Sequence, residues 1–443
     1  MKKEIYLPYF KDKKVTILGL GLLGRGMGDT LFVAENQADI ICTDTRSREK
    51  LAESIKKVES HNFKNLQLII GEIRLIDFEN RDYILTCAGM PKDYEYLMHA
   101  RKNGIPIYMS AALVVSIVYK HLPNVKVIGV TGTRGKTTTT ALIAHILHTA
   151  GKTVHLGGNI RGIANLPILE KIEDGDYLVL ELDSWQLQGF GEFKISPNIA
   201  VFTSFMDDHM NYYKDDRRAY FLDKANIYKY QKEGDILIGS NQAKEEISKY
   251  DLEVEVSIPT SDILEMNLIG KHNQISARLA YEVGIKCGID ESNIKESIKN
   301  FKAVEGRLED MGLFRGVRVF NDNNATTPDA TIAAIKSIYE KYNKKPILIL
   351  GGGDKNLPLD HLEEVIKEDV QDFVLLEGAG TERLKLDRKY IYERLEDCID
   401  QAFKLAQVGD IILFSPTFVS FSKYFNNEYE RNDLFVKEVQ KYA

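Results

Sequence analysis

The stretch Val127-Ile-Gly-Val-Thr-Gly-Thr-Arg-Gly-Lys-Thr-Thr-Thr-Thr140, running on into Ala141-Leu-Ile-Ala-His-Ile-Leu147, restricts the fold more than any other part of the chain. Residues Val125 to Val130 alternate and are rich in β-branched side chains, which predicts a buried strand. From Lys136 onward Leu142, Ile143, Ile146 and Leu147 recur at helical spacing. Between strand and helix lies a loop holding Gly132 and Gly135 and ending in Lys136-Thr137. Glycines let backbone N–H groups close on phosphate oxygens, and a helix N-terminus adds partial positive charge. Residues Gly132, Thr133, Arg134, Gly135, Lys136, Thr137 and Thr138 are therefore the expected phosphate cradle. Lys136 would neutralise the β- and γ-phosphates, and the Thr137 hydroxyl would hold Mg2+. Val130 stands where the longer form of this pattern opens with a glycine, so the loop is the short T-G-T-x-G-K-T version. A plain glycine turn before a helix would not need the Lys-Thr pair. ATP or GTP is the expected ligand.

A chain of 443 residues exceeds what one core holds, and two or three domains are expected. A formal net charge of −7 argues against a nucleic-acid-binding surface. Cys42, Cys87, Cys287 and Cys398 lie far apart and form no C-x-x-C pair. They are expected to be reduced thiols of a cytoplasmic protein, not a disulfide or zinc framework. The first residues, Met-Lys-Lys-Glu-Ile-Tyr, form no apolar signal region, and no apolar run reaches membrane-spanning length.

Ahead of the phosphate loop, Val15 to Gly24 predicts a strand entering G-x-G-x-x-G, and Ala38 to Asp44 a second strand ending in an acid. The acid falls about twenty residues on, where a Rossmann unit places a ribose contact. The alternative is a tight strand–helix turn with no ligand. Asp44, Thr45 and Arg46 put an acid, a hydroxyl and a cation at one strand end. Tyr83 to Gly89 predicts a further strand and turn, and this unit is expected to end near Leu122-Pro123.

Beyond the loop, Thr153 to Ile160 predicts a short strand and a Gly-Gly-Asn turn. Tyr177 to Asp183 is an apolar strand interrupted by Glu181. A carboxylate inside a buried strand is costly unless it is paired or binds metal, so Glu181 is a candidate Mg2+ ligand; on an edge strand it would simply be solvated. The strand within Asn198 to Phe205 delivers Asp207, Asp208 and His209 at its C-terminal end, the ligand-binding edge of open α/β sheets. Residues Asp215 to Tyr230 predict a helix carrying Lys224, and Gly270 opens another helix. Strands at Val317 to Asp322, Pro346 to Gly353, Phe373 to Gly378 and Asp410 to Pro416, separated by helical patterns, predict a third α/β domain.

One series of short motifs runs along the chain in order: Thr-Gly-Thr-x-Gly-Lys-Thr, Gly-Gly-Asn-Ile, Leu-Glu-Leu-x-Ser-x-Gln, Asp-His-Met, Asp-Lys-x-x-Ile-Tyr, Gly-x-His-Asn, Gly-Arg-Leu-Glu, Asn-Asp-x-x-Ala-Thr and Gly-Gly-x-Asp-Lys. From Gly19 to Arg431 the chain resembles the Mur ligases, and most of all their D-glutamate-adding members. The resemblance implies an α/β protein of three domains. These are a UDP-binding Rossmann-like unit (1–122), a central ATPase (123–304) and a C-terminal Rossmann-like, amino-acid-binding domain (305–443) that swings to close the site. It implies a cytoplasmic monomer that uses ATP and two Mg2+ ions to join D-glutamate to UDP-N-acetylmuramoyl-L-alanine in peptidoglycan precursor synthesis.

By position, the resemblance assigns Leu22, Asp44, Thr45, Arg46 and Gly89 to the uridine nucleotide, and Asn159 and Gln186 to positioning of the substrate. Glu181 and His209 stand near the metals. Lys224 matches a lysine that the family carbamoylates, turning a cation into a metal-binding carboxylate. Asn273, Arg307 and Asp322 match nucleotide contacts, and Lys355, Ser420 and Phe421 match the pocket for the incoming amino acid. Three positions depart from the pattern: Arg134 for Asn in the phosphate loop, Asn324 for Lys, and Asp183 for Ser beside Gln186. The competing members are folylpolyglutamate and poly-γ-glutamate synthetases; the Asp-Thr-Arg of a complete first domain argues against them.

Overall fold

The structure, a computed structural model, describes residues 1–443 except Leu23, Leu252, Arg388, Phe421, Ser422, Lys423 and Asn426. The chain forms two compact units. The first comprises Met1–Ile263 and Ile275–Ser297, the second Leu264–Gln274 and Ile298–Ala443.

The first unit carries two parallel sheets among its described residues. Strands β1 (Lys14–Leu18), β2 (Asp39–Asp44), β3 (Leu66–Ile70), β4 (Tyr83–Thr86) and β5 (Ile107–Tyr108) order as β3-β2-β1-β4-β5. The order reverses between β1 and β4, the point where such sheets leave a crevice outside their C-terminal ends. Strands β6 (Lys126–Thr131), β7 (Val154–Gly158), β8 (Tyr177–Glu181), β9 (Ile199–Phe202) and β10 (Ile236–Gly239) order as β10-β9-β6-β8-β7. Strand β6 is central, and Val130 pairs with Glu181 on one side and Val201 on the other. The loops after β6, β8 and β9 therefore gather at one edge. Parallel strands buried on both faces read as unbroken apolar runs, as in Val127-Ile128 and Leu178-Val-Leu180, all almost wholly buried.

One hydrophobic cluster joins both sheets, running from Tyr6 and Val15 through Val127 and Leu180 to Val256. Helix Ser110–His121, apolar on nearly every side, fills its middle. It packs on helix Ser184–Phe193, and the approach is close: a Cβ on Gly189 would sit 2.9 Å from that of Met109. The helix predicted over 215–230 is shorter, Arg217–Ala225. Lys214 and Asp215 take positive φ, and the Asp216 carboxylate accepts from Ala219 N, which fixes the start. After Ala225 the chain closes i→i+3 turns, and Tyr230 N donates to Ser196 Oγ instead of continuing the helix.

The second unit has a mixed sheet, β11 (Glu309–Phe314), β12 (Val317–Asn321), β13 (Ile347–Gly351), β14 (Asp372–Leu376), β15 (Ile391–Tyr392) and β16 (Ile411–Phe414), in the order β11-β12-β16-β13-β14-β15. Only β11 is antiparallel to its neighbour among these pairings. Apolar clusters cover both faces. No described helix is long and apolar enough to cross a membrane.

Candidate active site

The loop after β6 is shaped by β9. Thr133 N donates to Ser204 O (2.7 Å), and Ser204 Oγ both accepts from Arg134 N (2.9 Å) and donates to Arg134 O (3.0 Å). Gly132, at φ +146°, has no room for a side chain, since a Cβ would lie 2.0 Å from Thr203 Oγ1. With the loop pressed down in this way, Gly135 caps helix Lys136–Thr149 and the first-turn amides stay unused by the helix itself. Lys136 is the first residue of that helix, and its ammonium folds back onto Gly132 O (2.9 Å) and Thr133 O (3.2 Å). Thr137 is half-buried and Thr138 buried on the following positions. The glycine cradle, the helix N-terminus and a lysine poised over them fit the charge and shape of a polyphosphate.

Helix Arg217–Ala225 reaches this loop from below. Tyr220 OH lies 3.2 Å from Thr133 Oγ1, and four residues on, Lys224 Nζ donates to Gly132 O (2.9 Å). Lys224 is 1% exposed and stands 5.0 Å over the Tyr220 ring. Burial drives its pKa far below the ordinary lysine value; the Lys136 charge adds to this, and Asp183 and Asp208 oppose it. Burial thus favours the uncharged amine, the form of lysine able to attack CO2. Neighbouring Asp223 is tied to Lys92 (2.8 Å), Gln188 (2.7 Å) and Tyr213 (3.1 Å), which fixes the helix rotation that turns Lys224 inward.

Glu181 ends β8, one strand from the loop, and is 5% exposed. His209, in a left-handed conformation, lies tilted against Trp185 with ring centroids 4.4 Å apart and Nε2 3.6 Å from Asp208 Oδ2. Burial lowers its pKa, against the pull of Asp208 and Asp183, so a neutral imidazole is available as a ligand. Among the described residues no three His, Cys, Asp or Glu side chains form a ready metal cluster. Thr137, Glu181 and His209 would serve Mg2+ only together with phosphate oxygens and water, with which this ion ordinarily completes its shell.

Asp183 and Gln186 form a reciprocal cap on helix Ser184–Phe193: Asp183 Oδ1 accepts from Gln186 N (2.8 Å), and Gln186 Oε1 from Asp183 N (3.4 Å). Asp183, read from sequence as a departure, thus starts a helix. The cap also holds Trp185 beside His209 and close to Gly89, where a Cβ would lie 3.6 Å from the indole. Asn159 N donates to Glu181 O (2.7 Å), and its side-chain carbonyl accepts from Arg25. In the first sheet Asp44 is buried and accepts from Gly21 N (3.1 Å), Arg46 N (3.0 Å) and the Arg46 guanidinium (3.1 Å), joining the glycine turn to the next strand. Thr45 is exposed beside it, and Leu22 is half-buried in the turn. Tyr220, Ser204 and Arg25 went unread in the sequence. Tyr220 alone had a signal there, its i,i+4 spacing to Lys224.

The second unit gathers the remaining candidates by itself. Asp322, at the end of β12, accepts from Leu308 N (3.0 Å) and Ser415 Oγ (3.0 Å), and burial lifts its pKa to about 7. Arg307 is exposed next to Leu308 and draws that value down. Asn273 is buried, its amide donating to Ile269 O (2.8 Å). Lys355 Nζ donates to Thr326 Oγ1 (3.2 Å), two residues from Asn324, whose N–H donates to Gly306 O (3.1 Å). Ser420 is 4% exposed; Phe421 lies outside the described residues.

Comparison with known proteins fits this arrangement. Residues 130–261 match the Mur ligase middle domain, and residues 306–418 the glutamate ligase domain of Mur ligases. The chain is 30% identical to the UDP-N-acetylmuramoylalanine--D-glutamate ligase of Borreliella afzelii (strain PKo), over 98% of this chain and 99% of the relative. Against the protein of that name from Roseiflexus sp. (strain RS-1) identity is 29%, over 97% and 99%. The UDP-N-acetylmuramate-alanine ligase structure from Thermotoga maritima aligns with a TM-score of 0.63 at 17% identity, covering 97% of this chain and 100% of that one. The MurF ligase of Thermotoga maritima, in complex with ADP, gives 0.58 at 17% identity, covering 82% and 97%. These two structures share the fold. With near-complete coverage of relatives at 30% identity and both domain models in sequence order, the chain belongs to the Mur ligase family.

Proposed function

We propose that this chain is an ATP-dependent amide-bond-forming ligase that adds D-glutamate to UDP-N-acetylmuramoyl-L-alanine in peptidoglycan precursor synthesis, working as a cytoplasmic monomer. Its domains divide at 1–122, 123–304 and 305–443. The observation that carries the chemistry is the convergence of two lysines, Lys136 and Lys224, on the carbonyl of Gly132. One is placed to meet phosphate. The other is buried, and burial favours its uncharged form.

A carboxylate is a poor acyl donor, and in this reading it is activated by phosphoryl transfer from ATP before the amine of D-glutamate displaces phosphate. Lys136 leaves the loop carbonyls to lie against the phosphates and spread their charge. Lys224, as a free amine, adds CO2 at Nζ and loses a proton, becoming a carbamate. The buried amine would thereby become an anionic group able to act with Glu181 and His209. Mg2+, when bound by Thr137, Glu181, His209 and the carbamate, supplies positive charge for the transferring phosphoryl group. Asn159 and Gln186 orient the acyl donor, and Leu22, Asp44, Thr45, Arg46 and Gly89 hold its uridine nucleotide. Asn273, Arg307 and Asp322 serve the ATP, and Lys355, Ser420 and Phe421 the amino acid.

The full-length relatives named for D-glutamate ligation support the choice of acceptor. The test is phosphate release from ATP with each substrate omitted in turn, followed by a screen of amino acids. Release is expected only with ATP, the UDP-muramoyl substrate and D-glutamate together; preference for a neutral or basic amino acid would overturn the acceptor. Lys136→Ala is expected to abolish release while melting like the wild type, because the side chain packs on no core cluster. Normal turnover in that variant would sink the phosphate-loop assignment.

A further inference from the structure

The helix Arg25–Glu35 that follows the first glycine turn carries a face built to receive the loop after β7. Gly28 lets that loop in: a Cβ there would sit 2.6 Å from the Cβ of Ala164. On the same face, one turn apart, stand Arg25 and Asp29. Asp29 is buried, and its carboxylate accepts from Leu166 N (2.8 Å). Arg25 Nη1 donates to Asn159 Oδ1. Two charged side chains of one helix thus hold both ends of the segment 159–166.

The Arg25 contact decides how Asn159 meets a ligand. A guanidinium only donates, so it selects the carbonyl oxygen of the amide and turns the NH2 group away from itself. The Asn159 backbone is pinned at the same time, its N–H on Glu181 O at 2.7 Å. The side-chain NH2 has no partner among the described residues, and Asn159 is half-buried at the strand-end edge that carries Glu181. Without Arg25 the amide could flip or turn to solvent, and a ligand would meet carbonyl and NH2 with comparable ease.

We propose that Arg25 is a positioning residue for the sugar-nucleotide substrate: it acts through Asn159, presenting the amide NH2 to an oxygen acceptor of that substrate. This rests on the reading of Asn159 given above and adds the residue that sets its polarity. Arg25 itself touches no reacting atom.

The test is a double-mutant cycle with Arg25→Met, Asn159→Ala and the pair, read in KM for UDP-N-acetylmuramoyl-L-alanine, KM for ATP and kcat, and in Kd for the same sugar nucleotide by titration calorimetry. One charge-assisted hydrogen bond corresponds to about tenfold in binding. Arg25→Met is expected to raise KM and Kd for the sugar nucleotide about tenfold, with KM for ATP unchanged. The double variant should match Asn159→Ala alone, and Arg25→Lys, which keeps a donor, should recover most of the loss. Unchanged sugar-nucleotide affinity in Arg25→Met, effects that multiply in the double variant, or an equal rise in KM for ATP would overturn the proposal. Should Arg25→Met melt well below the wild type, Arg25→Leu, which likewise has no donor, replaces it in the cycle and is held to the same outcomes. A wild type that binds the sugar nucleotide but does not ligate sinks the assigned reaction, and the cycle in Kd still decides Arg25. A wild type that does not bind it overturns both.

Discussion

Lys224 shows how much of a reaction one residue's surroundings can set. Burial and a second lysine nearby push an amine that is 1% exposed toward its neutral form, the form that carbamate formation needs. Lys224→Ala is expected to ligate at under a hundredth of the wild-type rate and to regain part of it with added formate or acetate. Lys224→Arg should regain nothing, since a guanidinium cannot take up CO2. Full activity in Lys224→Ala would remove the carbamate from the mechanism; a carbon-13 carbamate signal under labelled CO2, present in the wild type and absent in Lys224→Arg, checks it directly. Asn324 poses the opposite question, a cation missing from the pocket proposed for the dicarboxylic amino acid. Lys355 already bonds Thr326 on the Asn324 loop, so one cation is in place. Adding a second by Asn324→Lys is expected to lower KM for D-glutamate about tenfold. Steady-state ligation with D-glutamate and L-glutamate decides, and no change would show that the pocket does not use that position.

At the scale of elements, helix Arg25–Glu35 offers a pH test. Burial lifts the pKa of Asp29 from 3.8 to about 6, while its hydrogen bonds and Arg25 pull it down. A group with a raised folded-state pKa stabilises the fold most below its unfolded value and loses that contribution as pH rises through the folded one. Between pH 4 and 7 the wild type should therefore lose about 2 kcal/mol relative to Asp29→Asn, which keeps an acceptor for Leu166 N and has no charge to bury. Thermal melts of both proteins at half-unit pH steps check the sign; a difference that stays flat would show that Asp29 is ionised at no cost. The same helix marks the limit of sequence reading. The phosphate loop, β8 with Glu181 and β9 with its polar end were legible because strand periodicity and loop chemistry are local. Arg25 on Asn159 is a pairing across 134 positions, and no local pattern encodes it. Asp183 shows the reverse: Asp183-x-x-Gln186 is a local capping pattern at i,i+3, of which the charge was read from the sequence and the cap was not. β11 also went unread, being an edge strand, MetGly-interrupted and half-exposed, that lacks the apolar run of its neighbours.

For the whole molecule, two compact units with separate cores imply two cooperative transitions, each sensitive to its own interior. Arg431 gives the sharper test of this. Its side chain is 0% exposed in the second unit and donates to Asn323 Oδ1 (2.9 Å), Asn323 O (2.9 Å) and Phe418 O (3.2 Å). Burial pulls its pKa down to about 9, with Glu428 opposing, so it remains charged at neutral pH. A buried guanidinium satisfied by carbonyls ties β12's end to the segment after β16 and to its own helix, Glu428–Gln440. Arg431→Met keeps apolar volume but strands three acceptors, each costing about 1–3 kcal/mol when left unpaired in the interior. The expected result in scanning calorimetry is a drop of ten degrees or more in one transition, about 4–8 °C for each kcal/mol being typical of a domain near 100 residues. The other transition should stay where it is, and ATP should still raise it, because the phosphate loop belongs to the first unit. Asp29→Asn, measured at pH 7.5, should move only the transition that Arg431→Met leaves alone. If either substitution shifts both transitions equally, the units unfold as one body, and the stability of the phosphate loop is shared with the second unit.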